Sequence, residues 1–217
     1  MNIKKALFDA RNITEEQIES TLLTVNQSIS FRGILLAYDQ VEHLPISPRL
    51  EKHIVVDNMD QCRMFSSEEA LTTIVSTNLR VLQLAREEGY KTCWYIRVVD
   101  QETMLEAVEY GMENPILIVD FKDETNIPLE LVIAKLQNYE IEIIKRVVST
   151  EDGRVSSDVM EVGADGILLT TTNMEEILDM NKFMQQSRNT QLDIVSATVT
   201  KVEHLDAGER ACIDTTS

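Results

Sequence analysis

The chain has 217 residues, 43% of them hydrophobic and 26% charged, the proportions of an ordinary globular protein with enough apolar material for a sizeable core. Its 37 acidic residues against 20 basic ones give a formal net charge of −17, which repels nucleic-acid phosphates and anionic lipid headgroups and argues against both as partners. No apolar run approaches the roughly 18 residues of a membrane span, so a small-molecule substrate is the expected partner, with a homo-oligomer left open.

Met1–Lys5 is polar and basic and runs straight into a strand-like stretch, Ala6–Ala10, without a cleavage-site pattern, so a cytoplasmic location is expected. Ile13–Val25 follows as a helix. Thr14 to Gln17 fits a capping box there, and Ile18, Leu22 and Val25 share a face. Strands are predicted at Gly33–Tyr38 and His53–Val56, then a very short helix near Ser66–Ala70 and a strand at Leu71–Ser76. Helix Asn78–Glu88 stops at Gly89, strand Thr92–Val98 comes next, and helix Gln101–Tyr110 stops at Gly111. Strand Pro115–Phe121 leads to helix Pro128–Gln137, which opens on a proline where a missing N–H costs nothing. Strands Ile141–Val148 and Gly166–Thr171, with helices around Glu151–Glu161 and Met174–Gln186, complete the series.

Strands alternating with helices imply parallel βαβ units, and eight of them imply a compact (β/α)8 barrel over residues 1–186; an open doubly wound sheet is the alternative. Beyond it, residues 192–217 read as the start of a truncated β-rich domain. Leu192–Val202 and Arg210–Thr215 are expected to pair antiparallel through a turn at Asp206–Gly208. Cys62, Cys93 and Cys212 are far apart and form no CxxC pair, so neither a disulfide framework nor a zinc knuckle is expected. His43, His53 and His204 lack metal-ligand spacing and read as surface or structural.

A barrel gathers its functional groups at the C-terminal ends of its strands. Asp9, Asp39, Asp57 and Asp120 fall there, where converging carboxylates hold Mg²⁺ or Mn²⁺, although an Asp after a parallel strand also commonly caps the next helix. Lys145 lies inside an apolar strand, where a depressed pKa suits a Schiff base; the competing reading is a lysine snorkelling to solvent. Its neighbour Arg146 points the opposite way. Glu130 is a candidate catalytic carboxylate, in a first helical turn that favours an acid whatever its function.

The tail QLDIVSATVTKVEHLDAGERACIDTTS resembles the segment that follows the barrel in type II 3-dehydroquinate synthases, with its ATVTKVE strand, Gly-x-Arg turn and Cys-x-Asp-Thr strand. Three more stretches are similar to that family in the same order: Leu7-Phe8-Asp9-Ala10-Arg11, Ile127-Pro-Leu-Glu130 with Leu131–Leu136, and Val162-Gly-Ala-Asp-Gly-Ile-Leu-Leu169. The chain departs from the pattern at Thr216, where a second cysteine is usual, at Leu7-Phe8 in place of a tryptophan, and at Lys145-Arg146, where the strand is usually apolar or acidic.

The resemblance implies NAD-dependent oxidative deamination of an amino-dideoxy-heptulosonate, then ring closure to 3-dehydroquinate in aromatic amino-acid biosynthesis. A related branch implies a metal-dependent cyclase resembling the 3-amino-4-hydroxybenzoate synthases. The resemblance to the synthases further implies substrate binding by Arg11 and Arg210 and a catalytic role for Asp214, the alternative being that Arg210 and Asp214 pin the strand pair; Lys145 and Glu130 are candidates from their positions. No GxGxxG occurs and only seven glycines are present, so no Rossmann turn for NAD is legible. This chain alone is therefore expected to lack NAD-dependent deaminase activity while binding a divalent metal weakly. A catalytically inert relic of the fold is the second hypothesis.

Overall fold

The eight apolar runs become eight parallel strands: β1 (Lys5–Asp9), β2 (Phe31–Ala37), β3 (Glu51–Val55), β4 (Thr72–Ser76), β5 (Thr92–Val98), β6 (Ile116–Phe121), β7 (Glu142–Val147) and β8 (Gly166–Leu169). Each pairs with the next, and β1 also pairs with β8, Phe8 opposite Leu169, which closes the barrel and excludes the open sheet. The computed structural model describes residues 5–123, 125–157, 164–188 and 201. The expected strand pair beyond residue 192, Lys201 apart, and with it Arg210 and Asp214, lies outside the described residues.

Both faces of these strands are covered, which is why the sequence shows apolar runs rather than strict alternation. One set of alternate residues fills the barrel interior: Leu7, Leu35, Val75, Cys93, Ile118, Ile144 and Leu168, with Val55 and Tyr95 packed against them. The other set, including Phe8, Ile34, Leu36, Trp94, Ile96 and Val119, faces the surrounding helices. Those are α1 (Glu15–Gln27), α2 (Met59–Cys62), α3 (Leu79–Glu87), α4 (Gln101–Gly111), α5 (Ile127–Leu136), α6 (Thr150–Ser157) and α7 (Met174–Arg188). Among the described residues no helix is long and apolar enough to cross a membrane.

Local chemistry sets the boundaries. The Asn58, Asn78 and Asp100 side chains accept from first-turn N–H groups of α2, α3 and α4, satisfying donors that a helix start leaves free. Gly89 follows α3 at φ 88°, the left-handed conformation that an L side chain resists. Three expectations are corrected. The very short helix expected near Ser66–Ala70 is α2 instead, because Asn58 starts a turn soon after β3. The Thr14 hydroxyl donates to the Gln17 side chain instead of capping the backbone, and the Gln17 amide donates to Thr172 O. Gly111 is the last residue of α4 rather than its stop, buried where a Cβ would meet Leu117 and Leu136 at 3.2 Å.

Gly33 serves the interior. A Cβ there would stand 2.7 Å from the Glu51 carbonyl oxygen and 2.8 Å from Leu7 Cδ2. The first neighbour is backbone in the adjacent strand and cannot rotate away. Gly33→Ala is expected to cost about 1–3 kcal/mol, the usual range for overpacking, measured as a lower midpoint in urea unfolding; an unchanged midpoint would show that β2 and β3 yield there.

Candidate active site

Among the described residues, polar clusters interrupt the apolar interior at each end of the barrel. At the N-terminal floor, Lys5 Nζ sits 2.6 Å from Glu142 Oε1 and 3.3 Å from Glu51 Oε2. The His53 ring is fully buried beside them, and neither ring nitrogen has a hydrogen-bond partner; Nε2 stands 3.6 Å from Glu51 Oε2. Facing the His53 imidazole and the Lys5 ammonium, the Glu51 carboxyl is held down at about 2, against the cost of its partial burial. Lys5 at 3.3 Å is the firmer contact of the two. Burial pushes the His53 pKa below its ordinary value, so the ring is neutral.

Both shifts make the fold acid-sensitive. A neutral buried His53 resists the proton that the unfolded chain takes up below 6.5, so stability falls as pH drops through that value. Glu51 contributes stability that is present above its ordinary 4.5 and lost as pH falls towards about 2. Unfolding free energy is expected to decline in two stages on acidification, the lower one absent in Glu51→Gln. A flat profile between pH 7 and 3 would contradict this.

The C-terminal mouth is the richer cluster. Asp9, the last residue of β1, is 2% exposed and accepts from Arg11 Nε at 2.9 Å, Arg11 Nη2 at 2.8 Å, the Arg11 backbone N–H at 3.2 Å and the Thr170 hydroxyl at 3.2 Å. This bidentate contact raises the Arg11 pKa and leaves the arginine cationic. The Arg11 guanidinium lies 5.2 Å from the centroid of the Tyr95 ring, across the mouth from its own strand. Burial, with the nearby Asp120 charge, pushes the Tyr95 phenol pKa up, while Arg11 and Arg146 oppose the rise.

Asp120 stands between two arginines on neighbouring strands. Arg97 of β5 is its register partner, with Nε 3.9 Å from Oδ2, and Arg146 of β7 places Nη1 3.2 Å from Oδ1. Strand alternation puts all three on the interior side, continuing the rows Cys93–Tyr95, Ile116–Ile118 and Ile144. Beside them opens a cleft of about 510 Å³, lined by Arg97, Asp120, Lys122, Asn126, Arg146 and Asp152 among others.

The four carboxylates expected to hold a metal all fall at this rim, yet they do not assemble. Both Asp9 oxygens are spent on Arg11 and Thr170, and Asp120 is pinned by arginines. Asp39, in a 3-10 turn after β2, and Asp57, after β3, are exposed. Among the described residues no three His, Cys, Asp or Glu groups stand close enough to share a cation. In this geometry the four do not form one ligand set, because two of them are engaged by arginines and two face solvent. None of the four supplies the caps found at α2, α3 and α4, which come from Asn58, Asn78 and Asp100.

Lys145 faces away from the barrel axis, 4% exposed, and donates to Asp152 Oδ1 at 2.8 Å, Ser156 Oγ at 2.8 Å and Asn126 Oδ1 at 3.2 Å. It lines the outer wall of the cleft. These three acceptors hold Nζ in the layer between β7, α5 and α6, on the side of the strand away from Tyr95 and Asp120. Glu130 is exposed on α5, whose buried face carries Leu129, Val132, Ile133 and Leu136, and it is not brought to the mouth. Tyr95, Arg97 and Arg146 were missed as site residues. Each occupies an interior position near the end of its strand, so counting by twos from the apolar residues Cys93 and Ile144 would have found them.

Residues 14–184 match the model of the 3-dehydroquinate synthase II N-terminal domain. A 3-dehydroquinate synthase of Methanocaldococcus jannaschii is 35% identical over 143 residues, 64% of this chain and 39% of the relative. One from Methanococcus maripaludis is 27% identical over 208 residues, 95% of this chain and 55% of the relative. The chain thus spans about half the length of the relatives it matches. Among solved structures, phosphoribosylanthranilate isomerase of Thermotoga maritima superposes with a TM-score of 0.60 at 13% identity, covering 86% of this chain and 100% of that one. Type I 3-dehydroquinate dehydratase of Clostridium difficile gives 0.59 at 8%, covering 86% and 94%. Identities so low speak for the barrel fold alone. The match over residues 14–184 places the chain in the 3-dehydroquinate synthase II family, as its N-terminal barrel domain.

Proposed function

We propose that the C-terminal mouth of this barrel binds an amino-dideoxy-heptulosonate and takes part in its conversion to 3-dehydroquinate, by oxidative deamination with NAD followed by ring closure. The observation that carries this reading is the gathering of Arg11, Arg97 and Arg146 around Tyr95 and Asp120 in a family member whose overall charge is −17. Ring closure passes through an enolate, which needs a nearby positive charge and a proton donor. Arg11 supplies the charge over the Tyr95 ring, and the raised Tyr95 pKa keeps a phenolic proton in place for the enolate oxygen. NAD supplies the oxidation when bound. The described loops carry no glycine-rich cradle for its phosphates.

Binding is the property to test, because the chain spans about half of its relatives. Calorimetric titration with the amino-heptulosonate is expected to show a single saturable site that weakens in Tyr95→Phe and Arg11→Gln. Binding indifferent to both substitutions, or no binding at millimolar ligand, would contradict the reading.

A further inference from the structure

The row Arg97–Asp120–Arg146 holds more positive charge than its own pairing uses. Asp120 is 15% exposed and close to Arg146, but its contact with Arg97 is a loose 3.9 Å, and the Arg97 side chain is 68% exposed. Arg11 is already committed to Asp9. The three residues therefore carry a net charge of +1, at the edge of a 510 Å³ cleft, with two guanidinium forks on one side. Planar forks match the two oxygens of a carboxylate.

We infer that Arg97 and Arg146 form a carboxylate subsite that selects substrates bearing one planar anionic group, with Asp120 as a built-in competitor that sets its strength. The inference rests on the proposed reading of the mouth as a substrate site and assigns one group of that substrate to named residues. A monoanion matches the net charge of +1. A dianionic phosphate would overmatch it, and the rest of the charged lining, Lys122 and Lys145 against Asp123, Glu151 and Asp152, adds a net −1 that disfavours the second charge further. Asp120 keeps the two arginines separated and oriented while no ligand is present, and the same charge weakens any incoming anion. Neutralising Asp120 takes the row from +1 to +2. An anion is then held more tightly, whereas a residue that merely braced the two arginines would, once neutralised, loosen the site.

The test follows the arginine Nε–Hε resonances of the ¹⁵N-labelled chain during titration with glycolate, with inorganic phosphate, and with chloride at matched ionic strength. Glycolate is expected to shift Arg97 and Arg146 saturably, and to do so at about tenfold lower concentration in Asp120→Asn. Arg97→Ala and Arg146→Ala should each abolish the effect while the Arg11 signal, fixed by Asp9, stays in place as a check on folding. Phosphate binding more tightly than glycolate, no saturable shift, or weaker binding in Asp120→Asn would each overturn the assignment. Titration with the amino-heptulosonate separates the two ideas. If it binds without moving either arginine, the subsite fails and the proposed function stands. If glycolate engages both arginines and the amino-heptulosonate binds nowhere, the subsite stands and the proposed function fails.

Discussion

Replacing Asp9 by alanine is expected to destabilise the barrel by about 3–5 kcal/mol, the range for breaking a buried ion pair by removing one partner. The carboxylate is 2% exposed and serves four donors at once: two on the Arg11 guanidinium, the Arg11 backbone N–H and the Thr170 hydroxyl. Alanine leaves all four without their acceptor and leaves a cation over the Tyr95 ring. The Arg11 side chain is 27% exposed and recovers part of the loss by turning to water. Asp9→Asn keeps an acceptor oxygen for some of these donors and should lose roughly half as much. Urea unfolding of the three proteins measures this. If alanine and asparagine both cost less than about 1 kcal/mol, the pair behaves like an exposed surface bridge, and the mouth is not the fixed platform described.

Lys145→Met is expected to cost about 2–4 kcal/mol, and treatment with the amino-heptulosonate and borohydride is expected to leave no adduct on Lys145 of the unmodified chain. The ammonium ties β7 to α6 through Asp152 and Ser156 and reaches Asn126 at the start of α5. Its removal strands the Asp152 carboxylate, which is 30% exposed and so partly relieved by solvent. A structural lysine of this kind lowers stability when removed and gives no covalent trapping. A reductively trapped substrate at Lys145, with stability unchanged in the methionine variant, would restore it as a Schiff-base residue.

The barrel was legible because its strands are covered on both faces. That produces eight apolar runs at regular spacing, with polar helices and glycine or asparagine punctuation between them. Pro128 and Gly89 mark helix ends as their chemistry dictates. The short α2 was misplaced because a single turn has no periodicity to read, and its only signal is Asn58.

The site was legible only in outline. Asp9 and Asp120 were picked for their place at strand ends, but a carboxylate beside an arginine and one facing a metal look the same in sequence. Which of the two applies depended on Arg11 folding back two residues and on Arg146 arriving from the next strand. Lys145 and Arg146 are adjacent, and strand alternation sends one to the helix layer and the other to the mouth. The sequence expectation had the two on opposite faces, as they are here, but nothing local said which face is the barrel interior. His53 read as surface or structural and proves fully buried on the barrel floor, held in an interior that no local pattern announces.

A crystal structure of the chain soaked with 3-dehydroquinate decides whether the C-terminal mouth is the substrate site. The cyclic acid is expected at the mouth, with its carboxylate against Arg97 and Arg146 and its ring beside Tyr95 and Arg11. Ligand bound outside this mouth, with the Arg97–Asp120–Arg146 row unengaged, would contradict it.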